Sequence, residues 1–447
     1  MPLQPLHKGT SYICYLLSGL LLLATNHTYA QEIPTLNVNI KSFRANGIYG
    51  INDNRKGYYI KLRNTLSDNQ RGTIYLDIKN SYGQSVYHED IGVFTTPYSG
   101  FTKELTLDNS KFAPGFYYVS MAISTNHFNQ TFTNVFAVEP EKLPTTPYRP
   151  NDFTYFWEDA KRELVNINPQ YQVTRRGDMS TIAMDVFMVE FQSIGNAKIR
   201  GWLSVPKGRG KFAVIYKLPG YVTPAKPETK GSLAVFSVDA RGIAGSTDAQ
   251  QLTYDNYLVT GLYNKQNYIY KAVFMDCLRG LDFIFTQTDL KIDINKVIVK
   301  GEGQGAALAA VVAALDSRKV KGLIMERPVL LDLRTVFAFG ETKPVIPWPV
   351  NAFKNYLRNS KTPIDNFFRT WDYFDALNFA SLVKCPVLMG TALKSVSSPP
   401  QSVYNFYNQI LGFKREMYVS ANTENNMEAA YYVLENNWIR ETLRIPN

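Results

Sequence analysis

The sequence predicts a mostly parallel α/β domain preceded by an all-β sandwich, and three observations carry that expectation. The first is the stretch Lys296–Leu308, where a β-branched run ends in a cluster of glycines and an alanine-rich apolar segment follows as far as Leu315. That order reads as a strand, a sharp turn and a helix. The second is the alternation of short apolar segments with helix-length amphipathic ones from Asn151 onward, which implies parallel strands covered on both faces. The third is the run Thr35–Glu139, rich in Tyr, Ile, Val, Phe and Thr and broken by turn clusters. With 447 residues and 45% apolar content, the chain is long enough for two or three packed domains.

Taken in order, residues 1–30 read as a cleavable signal peptide. Lys8 supplies a positive start, Tyr12–Ala24 an apolar stretch, and Thr28–Tyr29–Ala30 a small-x-small site before Gln31. The apolar stretch is short for a membrane span, no other run approaches about 18 apolar residues, and Cys14 lies within it rather than at its end. The expected mature chain is exported, whether periplasmic, cell-surface or secreted, and has no transmembrane segment. Its formal charge of +10 is spread without a Lys/Arg block, which argues against a nucleic-acid partner. Cys277 and Cys385 both sit in apolar settings, so buried thiols are favoured over a disulfide.

Residues 31–140 are expected to form an immunoglobulin-like β-sandwich. Tyr58–Leu62, Thr73–Ile78, Phe101–Leu107, Phe116–Ile123 and Thr131–Val138 are its clearest strands, within a spacing that suits about seven. His88 and His127 stand alone without metal-ligand spacing, and neither a metal nor a cofactor is expected. A spacer, a docking module and a glycan-binding module are all open as its role. Residues 141–150 form a Pro-rich linker; with Pro140 it holds four prolines, the composition of an extended, semi-rigid connector.

Residues 151–447 carry the α/β pattern. A helix over Asp152–Val165 with Asn151 as its cap opens it, and strands follow at Lys198–Val205, Phe212–Lys217 and Ala234–Asp239. A long helix, Tyr268–Phe285, precedes the glycine-rich turn. Beyond it come the strand Gly322–Met325, a polar and aromatic insertion from Gly340 to about Thr370, and the strand Pro386–Gly390. The helix Gln401–Leu411, the strand Glu416–Val419 and a helix ending near Arg440 complete the chain. At the turn itself, Gly301–Glu302–Gly303–Gln304–Gly305 has the G-x-S-x-G spacing of a nucleophile elbow with glycine where serine would stand.

From Asn151 to the C-terminus the chain resembles the acetyl xylan esterase / cephalosporin-C deacetylase family, carbohydrate esterase family seven, of α/β-hydrolase fold. Asp152–Phe153–Thr154–Tyr155–Phe156–Trp157 is similar to that family's D-F-x-x-F-W opening. Pro219–Gly220–Tyr221 falls at its H-G-Y turn, and Asp239–Ala240–Arg241–Gly242–Ile243 at its D-x-R-G-Q. Tyr373–Phe374–Asp375–Ala376–Leu377–Asn378 and Cys385–Pro386–Val387–Leu388–Met389–Gly390 match its Y-F-D-x-x-N and x-P-V-L-M-G blocks.

The resemblance implies a Ser-His-Asp triad that removes acetate from sugars. Matched motif by motif, the serine falls on Gly303, the carboxylate on Ser395 and the histidine on Asn425, so all three positions are substituted. The four histidines are His7, His27, His88 and His127, and none follows the linker. Other pairings offer little: Ser397 and Ser398 belong to another loop, and Glu302 is expected to point away from the apex and pair with Lys300. The expectation is an exported, catalytically inactive homologue acting as a carbohydrate- or ester-binding or scaffold protein. The alternative is a carbohydrate deacetylase with a non-standard arrangement. Tyr221 and Gln304 are the candidate ligand-binding residues, for a glycan or a small ester or carboxylate. Aromatic residues of the insertion, Trp348, Phe353, Tyr356, Phe367 and Phe368, are candidates for sugar stacking or for lid core. A homo-oligomer is also open, because the family's active members form closed rings.

Overall fold

The computed structural model describes residues 35–248, 251–287, 289–344, 346, 348–412 and 414–445. The expected signal peptide and Cys14 lie outside the described residues. The N-terminal part is built from two sheets. Strands β1 (Leu36–Ser42), β3 (Gly57–Asn64) and β6 (Gly100–Thr106) form one. Strands β2 (Ile48–Tyr49), β4 (Gln70–Asn80), β5 (Ser85–Thr95), β7 (Gly115–Thr125) and β8 (Asn129–Val138) form the other, in the order β2-β8-β7-β4-β5. The period-two pattern explains the packing. Ile60 and Leu62, with Ile74, Leu76 and Ile78, face one shared core while Lys61 and Arg63 face outward. Phe136 fills the middle of that core, with its ring centroid 5.4 Å from Phe112 and 5.2 Å from Tyr117. The expected strands all form. β1 and β5 lacked a clear signal because both lie at sheet edges, where polar and charged residues such as His88, Glu89 and Asp90 are tolerated.

The remainder is one nine-stranded mixed sheet, ordered β17-β16-β15-β14-β12-β13-β11-β10-β9. Its strands are β9 (Gln172–Arg175), β10 (Met184–Gln192), β11 (Lys198–Pro206), β12 (Phe212–Lys217), β13 (Ala234–Val238), β14 (Ile292–Glu302), β15 (Gly322–Glu326), β16 (Val387–Ala392) and β17 (Arg415–Ser420). From β13 to β17 the pairs are parallel, and β9, β10 and β11 add an antiparallel flank. The helices are α1 (Phe153–Val165), α2 (Tyr254–Tyr257), α3 (Ile269–Thr286), α4 (Gln304–Leu315), α5 (Leu333–Glu341), α6 (Val350–Ser360), α7 (Ile364–Trp371), α8 (Pro400–Gln409) and α9 (Ala429–Leu443). α4 is apolar on every side and is buried from Gln304 to Ala313, as a helix without a polar face must be. Among the described residues no helix is long and apolar enough to cross a membrane. Cys277 and Cys385 are both free and buried.

One local expectation is corrected. Asp152, not Asn151, precedes α1, and its carboxylate makes no capping bond; it takes up Lys265 at 2.7 Å and the Tyr373 hydroxyl instead. Residues 141–150, the Pro-rich linker, run as a strap held to the α/β part. Asn408 Nδ2 donates to the Pro140 carbonyl at 3.0 Å, Gln409 Nε2 to that of Thr145 at 3.0 Å, and Arg149 Nε to that of Asn378 at 3.0 Å. Alongside this strap Phe116, Val135 and Ala137 of the β-sandwich share a buried cluster with Leu393, Tyr404 and Ala421 of the α/β part. Lys343 reaches across the same seam, 4.3 Å from the Tyr118 ring centroid and 4.2 Å from that of Phe339. The two parts are therefore packed against each other through an apolar contact.

The family-like motifs build shape. Arg241 holds the buried Asp276 with two bonds of 2.6 and 2.8 Å, and Asp239 accepts from the Ala225 N–H at 2.7 Å. Asp375 accepts from the Asp332, Leu333 and Leu377 N–H groups and from the Trp371 indole, all within 3.0 Å. A buried carboxylate with four donors is fully satisfied, which makes it a structural anchor.

Candidate functional site

The site is built where β14 ends and α4 begins. Gly303 takes φ +56° and ψ −119°, a backbone conformation that side-chain-bearing residues rarely adopt. Its peptide groups are pinned to the neighbouring strand end: the Gly303 N–H donates to Glu326 O at 3.0 Å, and Gly303 O accepts from the Val329 N–H at 3.1 Å. The flanking glycines have a different reason. A Cβ on Gly301 would lie 2.0 Å from the Gly305 carbonyl carbon, and one on Gly305 would lie 2.6 Å from Leu218 O. A Cβ on Gly303 would meet nothing within 4 Å. The turn is thus a sharp elbow with empty space above its apex.

That space is a cavity of about 620 Å³ lined by the elbow, by Leu218, Gly220 and Tyr221 of the turn after β12, and by Glu326 and Arg327 after β15. Trp348 closes one side, and Ser397 and Ser398 another. The first N–H groups of α4 have no carbonyl of their own helix to meet, so the elbow presents backbone donors and the positive end of a buried dipole. The side chains of Gln304 and Tyr221 are committed elsewhere. Gln304 is 1% exposed, accepts from Tyr270 OH at 2.5 Å, and has Nε2 3.4 Å from both Pro219 O and Gly220 O. It clamps the turn to the elbow. Tyr221 donates its hydroxyl to Tyr254 O at 2.5 Å, and its ring centroid lies 4.7 Å from that of Trp348. Burial pushes its phenol up to about 12. These two candidate residues therefore offer backbone and ring surface rather than free polar side-chain groups.

Of the three triad-matched positions, only Gly303 lines this cavity. The loops holding the other two do meet, with the Lys394 N–H 3.3 Å from Thr423 O. Ser395, however, is 2% exposed, and its hydroxyl accepts from the Ser398 N–H at 3.1 Å, bracing its own turn. Asn425 is exposed. The turn that Ser395 braces brings Ser397 and Ser398 to the cavity wall, contrary to the separation expected from sequence. Ser398 donates to Pro328 O at 2.7 Å, and Ser397 is half-buried.

The expected Glu302–Lys300 pair does not form. Glu302 pairs with Arg327, and Lys300 with Glu435 from α9. Residues two apart on a strand share a face, but at this strand end the half-buried Arg327 takes Glu302 towards the adjacent strand. Lys217 is paired with Glu228. Glu326, 3% exposed, accepts from Tyr432 OH at 3.1 Å; burial first, and then the nearby Glu302, raise its carboxyl above the ordinary range. One wall and the floor of the cavity are accordingly a mesh of ion pairs. Sequence reading missed Lys217, Glu326, Arg327 and Tyr432 because their partners lie on other elements, 11 to 106 positions away. Their one available signal was the unusual density of charge at strand ends.

In the insertion, Phe353, Phe367 and Phe368 are buried, packed with Phe337 and Trp371 as lid core. Trp348 and Tyr356 remain partly exposed. Among the described residues no group of three or more His, Cys, Asp or Glu side chains could hold a metal ion.

Comparison with known proteins places this geometry in context. The model of the family "Acetyl xylan esterase (AXE1)" matches residues 139–441. An acetyl esterase, Axe7A of Xylanibacter ruminicola, is 27% identical over 324 residues, covering 69% of this chain and 70% of its own. The acetyl xylan esterase from Paenibacillus sp. R4 superposes with a TM-score of 0.61 at 24% identity, over 68% of this chain and 98% of that one. Acetyl xylan esterase 1 from Thermoanaerobacterium sp. JW/SL YS485 gives the same TM-score at 21% identity, with 68% and 98% covered. The sheet order and elbow described above are thus those of an α/β-hydrolase-like fold.

Proposed function

The chain belongs to the acetyl xylan esterase family, and from that premise we propose that it is an exported, catalytically inactive member that holds an ester- or carboxylate-bearing carbohydrate at its elbow. The single observation that carries the reading is Gly303: the apex has the elbow conformation and open space above it, but no nucleophile. A base is missing as well, since no histidine follows His127. What the cavity keeps is geometry. The turn at Gly220–Tyr221 is clamped to the elbow by Gln304, and the start of α4 aims free N–H groups at a position suited to a carbonyl oxygen or an anion. The immunoglobulin-like sandwich, fixed across the seam, serves in this reading as a second contact surface.

The test is titration of the purified mature protein with acetylated xylo-oligosaccharides by ligand-observed NMR. Binding in the micromolar to millimolar range, with the acetyl groups recovered intact, is expected. No binding to any acetylated or plain glycan would overturn the ligand reading. Gly303→Ser is expected to fold, at a cost of about 1–3 kcal/mol for placing a side chain in that conformation, and to remain inactive. A hydroxyl without a base lacks the rest of a unit whose members act together. Measurable acetyl ester turnover by that single variant would overturn the assignment.

A second reading, an esterase with a non-standard nucleophile, has one observation behind it: Ser397 and Ser398 line the cavity. It predicts turnover in the unmodified protein that Ser397→Ala abolishes.

A further inference from the structure

Beside the elbow cavity, across Trp348, lies a separate groove of about 770 Å³ on the outer face of the lid. We propose that this groove binds an unbranched, uncharged oligosaccharide. The inference rests on the carbohydrate-binding reading above and deepens it by naming the ligand's length and charge.

The groove floor is a face of α6. Asn351, Asn355 and Asn359 line it at i, i+4 and i+8, so their amides stand in a row about 6 Å apart. All three are exposed, and none has a hydrogen-bond partner among the described residues. Each primary amide both donates and accepts, which suits vicinal hydroxyls whose own orientation is free. The row's spacing is of the order of one sugar ring. Tyr356 on the same helix and Trp348, two residues before it begins, flank the row, and Tyr254, 56% exposed, faces it from α2. Aromatic faces of this kind cover the apolar side of a pyranose ring.

Charge selects among ligands. Asp255 is the one charged side chain lining the groove among the described residues, and no cation joins it, although the chain as a whole carries a net charge of +10. An anionic chain would find no counter-charge there. Lys354, on the same helix, is turned to Glu341 at 3.0 Å. The elbow cavity differs in kind, being lined by Lys217, Lys300, Glu302, Glu326 and Arg327, whereas the groove has Asp255 as its one charged lining residue among the described residues.

The closing experiment compares two probes on the full mature protein and on the Asn351→Ala/Asn355→Ala/Asn359→Ala variant. The substitutions are on an exposed helical face and replace asparagine with a better helix former, so the fold should persist, checked by its unchanged melting temperature. The first probe is a series of unacetylated β-1,4-linked xylo-oligosaccharides, from dimer to hexamer. The second is a mono-acetylated xyloside, too short to span the groove. Affinity should rise with length in the first series, and the triple variant should lose about tenfold or more on the hexamer while binding of the xyloside stays unchanged. Equal hexamer affinity in both proteins, no hexamer binding, or equal binding of a neutral peptide of similar length would overturn the groove. Asn-dependent hexamer binding with no xyloside binding would instead leave the groove standing and remove the elbow ligand.

Discussion

Gly301→Ala and Gly305→Ala should each destabilise the protein by more than about 3 kcal/mol or prevent folding, while Gly303→Ala should cost only about 1–2 kcal/mol. The three glycines share one motif, and their environments differ. A methyl group on Gly301 would stand 2.0 Å from the Gly305 carbonyl carbon and 2.5 Å from the Ala306 nitrogen, both backbone atoms that cannot rotate away. On Gly305 the obstacle is Leu218 O at 2.6 Å, in the turn that forms the opposite cavity wall. Relief would require the start of α4 to lift from the sheet, and α4 is buried along its length. At Gly303 the only charge against alanine is its φ of +56°, since nothing lies within 4 Å. Chemical denaturation of the three variants measures the ranking. If Gly303→Ala proved the most damaging, the elbow geometry described here would be wrong.

The second large effect is on pH. Burial pushes the carboxyls of Asp332 and Asp372 up to about 6; Asp375 adds to the rise at both, and Asn405, Thr335 and Arg334 only partly offset it. In the unfolded chain an aspartate titrates near 3.9. The folded state therefore binds more protons between about pH 4 and 6, and the folded protein is penalised above that window rather than below it. Two pK units on a buried carboxyl are worth about 3 kcal/mol, and the more open Asp372 gives less, so the pair should contribute on the order of 3–4 kcal/mol. Asp239, Glu326 and Asp375, also raised by burial, act in the same direction. The depressed carboxyls, Asp108, Glu139, Asp152, Asp178 and Asp248, owe their shifts to surface hydrogen bonds and oppose this only below about pH 4. The melting temperature should rise as pH is lowered from 7.5 to 5. In Asp332→Asn, which can still accept from Asn405 Nδ2, much of that rise should vanish. A flat or reversed dependence over that range would refute the assignment.

The elbow was legible because its glycines are adjacent in sequence and each answers to a local steric demand. The sheet was legible where strands are central and apolar. β10 could have been read too, since Met184, Val186, Val189 and Phe191 are buried at near-alternate positions. Its edge neighbour β9, exposed along its length, carries no such signal. The ion pairs around the cavity were not legible, because Lys300 and Glu435 are separated by 135 positions and only the packing of α9 on the sheet brings them together. The fates of Ser395 and Asn425 were hidden for the same reason: counting along a motif assigns a position, while exposure depends on how two loops settle against each other. In the lid, α7 did hold a usable pattern. Phe367, Phe368 and Trp371 share one helical face and are all buried, which marks them as core rather than as a binding platform.

Steady-state hydrolysis of nitrophenyl acetate and acetylated xylo-oligosaccharides by the purified protein tests the central claim most directly. The account predicts a rate no greater than that of a control protein of matched surface charge, because the apex is Gly303 and no histidine follows His127. Saturable turnover that survives repurification and disappears in Ser397→Ala, or on substitution of another residue lining the elbow cavity, would contradict it.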